Sequence, residues 1–90
     1  MDMRNVRAAD LNLLLVFEAI MAERSVTRAG ERIGLTQPSM SNALSRLRAL
    51  FGDELFVRTP EGMVPTPVAL QASEPVKASI FAAEAALSVN

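Results

Sequence analysis

Cysteine and histidine are both missing from this 90-residue sequence. Without cysteine there can be no disulfide and no thiolate metal site, and a reducing compartment fits. Without histidine the commonest general base and most transition-metal sites go as well. Tryptophan and tyrosine are absent and phenylalanine occurs four times, so the core must be built mainly from aliphatic side chains and methionine. The four glycines are scattered, which leaves no glycine-rich phosphate loop. Serines are plentiful but have no base to activate them, and the single lysine, Lys77, lies far along the chain. Asp53 and Glu54 are adjacent carboxylates at a helix-to-strand junction. As neighbours in an extended segment they point apart, which suits neither acid/base chemistry nor a metal cage. No enzyme activity, metal or cofactor is therefore expected.

Long hydrophobic runs are lacking too. The longest, LLLVFEAIMA (13–22), is broken by Glu18 and is too short to span a bilayer. Arg4 and Arg7 ahead of it suggest a signal peptide, but Asp2 and Asp10 fall in the would-be basic region. A buried amphipathic helix is the better reading, and no membrane association is expected. Excess positive charge is also missing, since the net charge is −1 and the pI about 5.3. The distribution matters more. From Arg24 to Arg48 five arginines face one acid, Glu31, a local +4, while the rest of the chain holds four basic and nine acidic residues. A polyanion responds to local field rather than to net charge.

What is present fits one small mainly α domain, marginal in stability unless well packed or partnered. Residues 1–9 read as a loose lead-in. Asp10 is a fair N-cap for a helix to about Glu23, with Leu11, Leu14, Leu15, Met21 and Ala22 on one face. Leu13, Val16, Phe17 and Ile20 are apolar as well, so this helix is expected to be covered on more than one side, by a subunit contact among others. In SVTRAGERIG (25–34), Ser25 can cap a second helix and Gly34 can end it. Gly30 within that helix predicts close approach by a neighbour. A third helix follows over 37–51, with Thr36 or Gln37 at its N-cap, Pro38 in its first turn and Gly52 as its stop. LFVR (55–58) and MVPT (63–66) are strand candidates around the turn TPEG. From Pro67 the pattern is helical again, with Ala69, Ala72, Val76, Ile80, Ala83 and Leu87 at spacings of three and four. Pro75 predicts a kink there, or a helix that firms up only afterwards.

The helix over 37–51 carries the strongest functional signal. Met40, Ala43, Leu44, Leu47, Leu50 and Phe51 fill one arc, and Pro38, Ser41, Asn42, Ser45 and Ala49 lie opposite, flanked by Arg46 and Arg48. A solvated helix face is ordinarily rich in Glu, Lys and Gln, which are good helix formers. Serine and asparagine are poor ones. Their short polar side chains let a helix approach the floor of a DNA groove, with arginine at the rim for phosphates or guanine. The competing reading is a protein-interaction module, in which this face packs on polypeptide. Ser25 caps a helix whatever else it does, and that helix N-terminus, with Thr27 and Arg28 beside it, offers N–H groups to a phosphate. Arg58, at the end of a strand, is either a solvated strand end or a backbone or minor-groove contact.

The run S-x-T-x-A-x-x-x-I-x-x-x-Q-P-x-x-S-x-x-L-x-x-L-x-x-x-F-G-x-x-L-F-x-R, from Ser25 to Arg58, with P-T-P-x-A at 65–69, resembles the N-terminal domain of LysR-type transcriptional regulators. Its wording is nearest to the branch of aromatic-compound and nodulation regulators. The resemblance implies a winged helix-turn-helix over 1–66, made of a three-helix core and a two-stranded β-hairpin wing. A long linker and dimerisation helix would follow over 67–90. It implies a cytoplasmic homodimer on double-stranded DNA, tetrameric in some intact regulators, reading an inverted repeat with helix 37–51 in the major groove. The DNA-facing set is then Ser25, Thr27, Arg28, Thr36, Gln37, Pro38, Ser39, Ser41, Asn42, Ser45, Arg46 and Arg58, with Gln37, Pro38, Ser41 and Asn42 toward the bases. Dimerisation falls to Ala69, Ala72, Val76, Ile80, Ala83 and Leu87. Two departures stand out. Asn42 occupies a position where many members have arginine, which removes the ground for a guanine contact there and opens adenine recognition, and the wing turn carries an acid, Glu61, where many have arginine. Members continue into an effector-binding domain that is absent from this chain, which is expected to be a DNA-binding domain cut from a longer regulator.

Overall fold

The computed structural model describes residues 10–89. The lead-in expected over 1–9 lies outside them. Asp10 opens helix α1 (Leu11–Glu23) by accepting the Leu13 N–H on its Oδ1 at 2.9 Å. Arg24 closes it in the left-handed region, φ 55°, its N–H returning to Ile20 O at 2.7 Å. Helix α2 (Val26–Ile33) starts at Ser25, whose Oγ accepts the Arg28 N–H, and stops at Gly34, φ 74°. Helix α3 (Gln37–Phe51) starts at Thr36 rather than Gln37, its hydroxyl oxygen accepting from the Ser39 N–H, and stops at Gly52. Each of these caps satisfies backbone groups that a helix end leaves orphaned, using residues within four positions.

Helix α1 lies at the centre, packed against α2, α3 and the C-terminal helix. Its buried side chains are Leu13, Val16, Phe17, Ala19, Ile20 and Met21. Of the two apolar sets, the one holding Leu13, Val16, Phe17 and Ile20 turns inward, where three surrounding helices converge, while Leu11 and Ala22 are exposed and Leu14 and Leu15 half-buried. Phe17 is the hub, its ring centroid 5.4 Å from that of Phe56 and 6.0 Å from that of Phe51. Met40, Leu44 and Leu47 of α3 and Val26 and Ala29 of α2 complete this side of the core. Gly30 is there for the reason expected. A Cβ on it would stand 2.9 Å from Leu35 O and 3.0 Å from Met40 Cγ, so α2 and α3 meet too closely for any side chain.

Strands β1 (Phe56–Thr59) and β2 (Gly62–Pro65) pair antiparallel, Phe56 opposite Pro65 and Thr59 opposite Gly62. Strand β1 begins and β2 ends one residue away from the expected limits. The shift has two local causes. Leu55, at φ 63°, turns the chain before β1, and Thr66 leaves the ladder to cap the next helix by accepting from Ala69 N. That helix, α4, runs from Pro67 to Leu87 as one element, with Pro75 inside it. Of the two outcomes expected at Pro75, a helix that firms up only afterwards does not occur. A proline removes one internal hydrogen bond, and here the first turns are held by burial of Ala69 and Val76 in the core. Among the described residues no charged or polar residue is buried, and no helix is long and apolar enough to cross a membrane.

Candidate nucleic-acid interface

One arc of α3 is committed to the core, with Met40 and Leu47 fully covered and Leu44 nearly so. On the other arc Gln37, Pro38, Ser39, Ser41, Asn42, Ser45 and Arg46 are all exposed. The serine-and-asparagine face is therefore not plugged into the chain's own fold. Thr36 and Ser39 are tied to each other, the Thr36 hydroxyl donating to Ser39 Oγ at 3.0 Å while also capping the helix. Their hydroxyls serve the helix start and still lie on the surface.

A polar cleft runs beside the N-termini of α2 and α3. It is lined by Ser25, Thr27, Arg28, Gln37 and Arg58 from the expected set, together with Arg24 and the hairpin turn Pro60–Glu61. These residues are far apart in sequence, and the wing brings them together. Met63 N–H donates to Arg24 O at 2.9 Å, fastening β2 to the α1–α2 turn. Gly62 makes that contact possible: its φ is 118°, and a Cβ there would be only 2.6 Å from Arg24 O. A second groove is lined by Asp10 and Asn12 of the α1 start and by Ser39, Asn42 and Arg46 of α3.

The arginines are less free than their count over 24–48 suggests. Arg48 is structural, donating from Nε to Glu54 O and from Nη2 to Phe56 O, both at 2.8 Å. It ties the end of α3 to the start of the wing. Arg28 donates to Glu23 O at 2.9 Å and lies 3.8 Å from the Glu23 carboxylate. Arg32 approaches Glu18 and Glu23 at 3.5 and 3.6 Å, and Arg46 approaches Asp10 at 3.9 Å. The carboxylates of α1 thus stand against the guanidinium groups that follow them in sequence. These pairs are partly exposed and individually weak, so a phosphate can replace them.

The residues assigned to dimerisation divide into two groups. Ala69 and Val76 are buried in the chain's own core, and Ala72 and Ile80 pack against it. The three-and-four spacing marks the inward face of α4, because that face must cover α1. Leu87 is exposed and Ala83 half-buried. Apolar side chains left in the open on this part of the chain are Leu70, Phe81, Leu87 and Val89. Arg24, Asp10 and Asn12 are among the members of the two grooves that sequence reasoning missed. Arg24 had a signal, as the cation directly before the Ser25 cap.

The helix-turn-helix and wing geometry agree with known proteins. Residues 11–70 match the family described as "Bacterial regulatory helix-turn-helix protein, lysR family". The HTH-type transcriptional activator NagR of Ralstonia sp is 51% identical over 90 residues, all of this chain and 29% of the relative. Among solved structures, the probable transcriptional regulator PA0477 from Pseudomonas aeruginosa superposes with a TM-score of 0.87 at 38% identity, covering 93% of this chain and 28% of that one. The DNA-binding domain of CbnR, solved in complex with DNA, shares the fold with a TM-score of 0.80 at 20% identity, covering 87% of this chain and 90% of that one. This chain therefore spans under a third of the length of NagR and of PA0477. With its matched region running from the first described helix into α4, the chain belongs to the lysR family of bacterial regulatory helix-turn-helix proteins and carries that family's DNA-binding domain.

Proposed function

We propose that the chain reads an inverted-repeat operator as a dimer, with α3 in the major groove of each half-site. The observation that carries this reading is the exposed α3 face, which offers serine, asparagine and glutamine and has no carboxylate. Short polar side chains of this kind reach base edges, and an α-helix fits the major groove. Gln37, Pro38, Ser41 and Asn42 face the bases, with Ser45 and Arg46 along the rim. Ser25, Thr27, Arg28 and Arg58 hold the backbone from the adjoining cleft, where they converge. Thr36 and Ser39 keep the helix start in shape while lying within reach of a phosphate. A two-fold dimer places its recognition helices one helical turn or a multiple apart.

In this reading α4 has two parts. Its first turns finish the domain core, and the segment beyond Ile80 links to a second copy through Phe81 and Leu87, aided by the exposed side of α1. The boundary between domain and linker then falls inside α4 rather than at residue 66. The remainder of the regulator would supply effector binding in the cytoplasm, and no catalytic role is proposed.

Selection of bound sequences from a random duplex pool tests the reading. A two-fold symmetric consensus is expected, and an unsymmetrical one would overturn the dimeric arrangement. Repeating the selection with Asn42→Ala should cost about 1–3 kcal/mol on the preferred site and relax one position per half-site. Unchanged preference would remove Asn42 from the base-reading face. Affinity should also fall steeply as salt rises through counterion release, which a hydrophobic contact with another protein would not show.

A further inference from the structure

Asp10 stands where the start of α1 meets the exposed face of α3. Its Oδ1 accepts the Leu13 N–H at 2.9 Å and so caps α1. Its Oδ2 lies 3.9 Å from Arg46 Nη2. Both side chains line one groove with Asn12, Ser39 and Asn42, directly beside the proposed base-reading residues. Arg48, the other α3 cation, is spent on the Glu54 and Phe56 carbonyls. Arg46 is therefore the α3 guanidinium left to act at this face, and the Asp10 carboxylate that approaches it is held in place by its capping bond. About half of each side chain is exposed, 54% for Arg46 and 50% for Asp10. Neither is locked by desolvation, and the pair can open.

We propose that Asp10 is a positioning residue that competes with DNA phosphates for Arg46. It draws the guanidinium toward α1, and while that pair stays closed on a random-sequence duplex Arg46 takes no phosphate oxygen. The carboxylate also repels the incoming polyanion. Together these effects lower the sequence-independent part of the affinity, which phosphate contacts supply, and leave the reading of bases by Asn42 and its neighbours untouched. A chain that holds one cation back gives up nonspecific affinity, the term that competing genomic sites exploit.

The inference rests on the DNA-binding reading, and a charge-only substitution separates the two. Asparagine caps a helix about as well as aspartate, so Asp10→Asn keeps the start of α1 and removes the charge. Binding of the chain to a random-sequence duplex would be measured across a salt series. Asp10→Asn should raise affinity at low salt by roughly two- to fivefold, the range of an exposed ion pair. The slope of log K against log salt should steepen by about 0.9, one further phosphate. In an Arg46→Gln background the same substitution should leave the slope unchanged. If affinity rises equally with and without Arg46, Asp10 acts only as bulk charge and the proposal is overturned, as it is if nothing changes. A parent chain that ignores duplex at every salt would overturn the DNA-binding reading together with this one. Should Asp10→Asn lower the melting temperature, Asp10→Ser, another good cap, supplies the same comparison.

Discussion

A single oxygen of Asp53 receives two donors, the Thr66 hydroxyl at 2.7 Å and the Leu55 N–H at 2.8 Å. Leu55 itself sits at φ 63° and is fully buried. A left-handed conformation costs an L-residue roughly 1–2 kcal/mol, and burying a leucine returns about 1.5–3 kcal/mol. Asp53 steadies that turn. The Thr66 hydroxyl, and after it the Leu55 N–H, hold its carboxyl below the ordinary value of 3.8, with partial desolvation opposing. A carboxyl depressed in the folded state stabilises the fold above its unfolded pKa and loses that contribution as pH falls through the folded one. Stability should therefore decline below about pH 3.8, and Asp53→Asn should flatten this part of a pH-resolved urea titration. Gly30 makes a second residue-scale case. Alanine would gain about 1 kcal/mol in helix propensity, but its Cβ would meet the fixed Leu35 carbonyl at 2.9 Å. Overpacking of this kind costs about 1–3 kcal/mol, so Gly30→Ala should lower the urea midpoint despite the better helix former.

At the scale of elements, two arginines of similar appearance in the sequence do different work. Arg48 bonds two carbonyls at the α3–β1 junction, whereas Arg28 lies in the cleft between α2, α3 and the wing. Hydrogen bonds from charged groups are worth about 1.5–3 kcal/mol when sheltered, and partial exposure brings Arg48 toward the lower end. Arg48→Ala should thus destabilise the chain by about 1–2 kcal/mol while leaving the salt slope of DNA binding unchanged. Arg28→Ala should reverse the pattern, with stability within about 0.5 kcal/mol and the slope shallower by about 0.9. Denaturation curves and salt-dependent binding on the same two variants check both halves. The amphipathic pattern of α3 was legible because core and surface arcs follow from a period of 3.6. The partners of Arg48 were not, since both carbonyls lie beyond the helix, on either side of Leu55, whose left-handed turn sets their positions.

For the whole molecule the decisive feature is α4. Its inward row closes the core over α1, and its far end carries Phe81, 75% exposed, and Leu87, 80% exposed. The two regions should separate in a mutational test. Val76→Ala removes buried methyl groups and should destabilise the chain by about 2 kcal/mol. Phe81→Ser touches little of the core and should leave folding within about 0.5 kcal/mol, while weakening self-association in sedimentation equilibrium. A loss of stability equal to that of Val76→Ala would place Phe81 in the core instead. The charge pattern also changes meaning at this scale. A local +4 over 24–48 becomes a surface on which Asp10, Glu18 and Glu23 of α1 already stand against Arg46, Arg32 and Arg28.

The limits of α1, α2 and α3 follow from the sequence alone, because Asp10, Ser25, Thr36, Gly34 and Gly52 act on backbone groups only a few residues away. So does the uncharged face of α3, which depends on residue order and helical period. Three matters were decided by tertiary structure: which arc of the nearly all-apolar α1 turns inward, the burial of Ala69 and Val76 of the α4 row in the chain's own core, and the meeting of Arg58 with the α2 N-terminus. Each depends on contacts between segments far apart in the chain, made through the Gly62–Arg24 approach and the Phe17 cluster. Periodicity can say that a face is apolar, but only the packed neighbours determine what covers it.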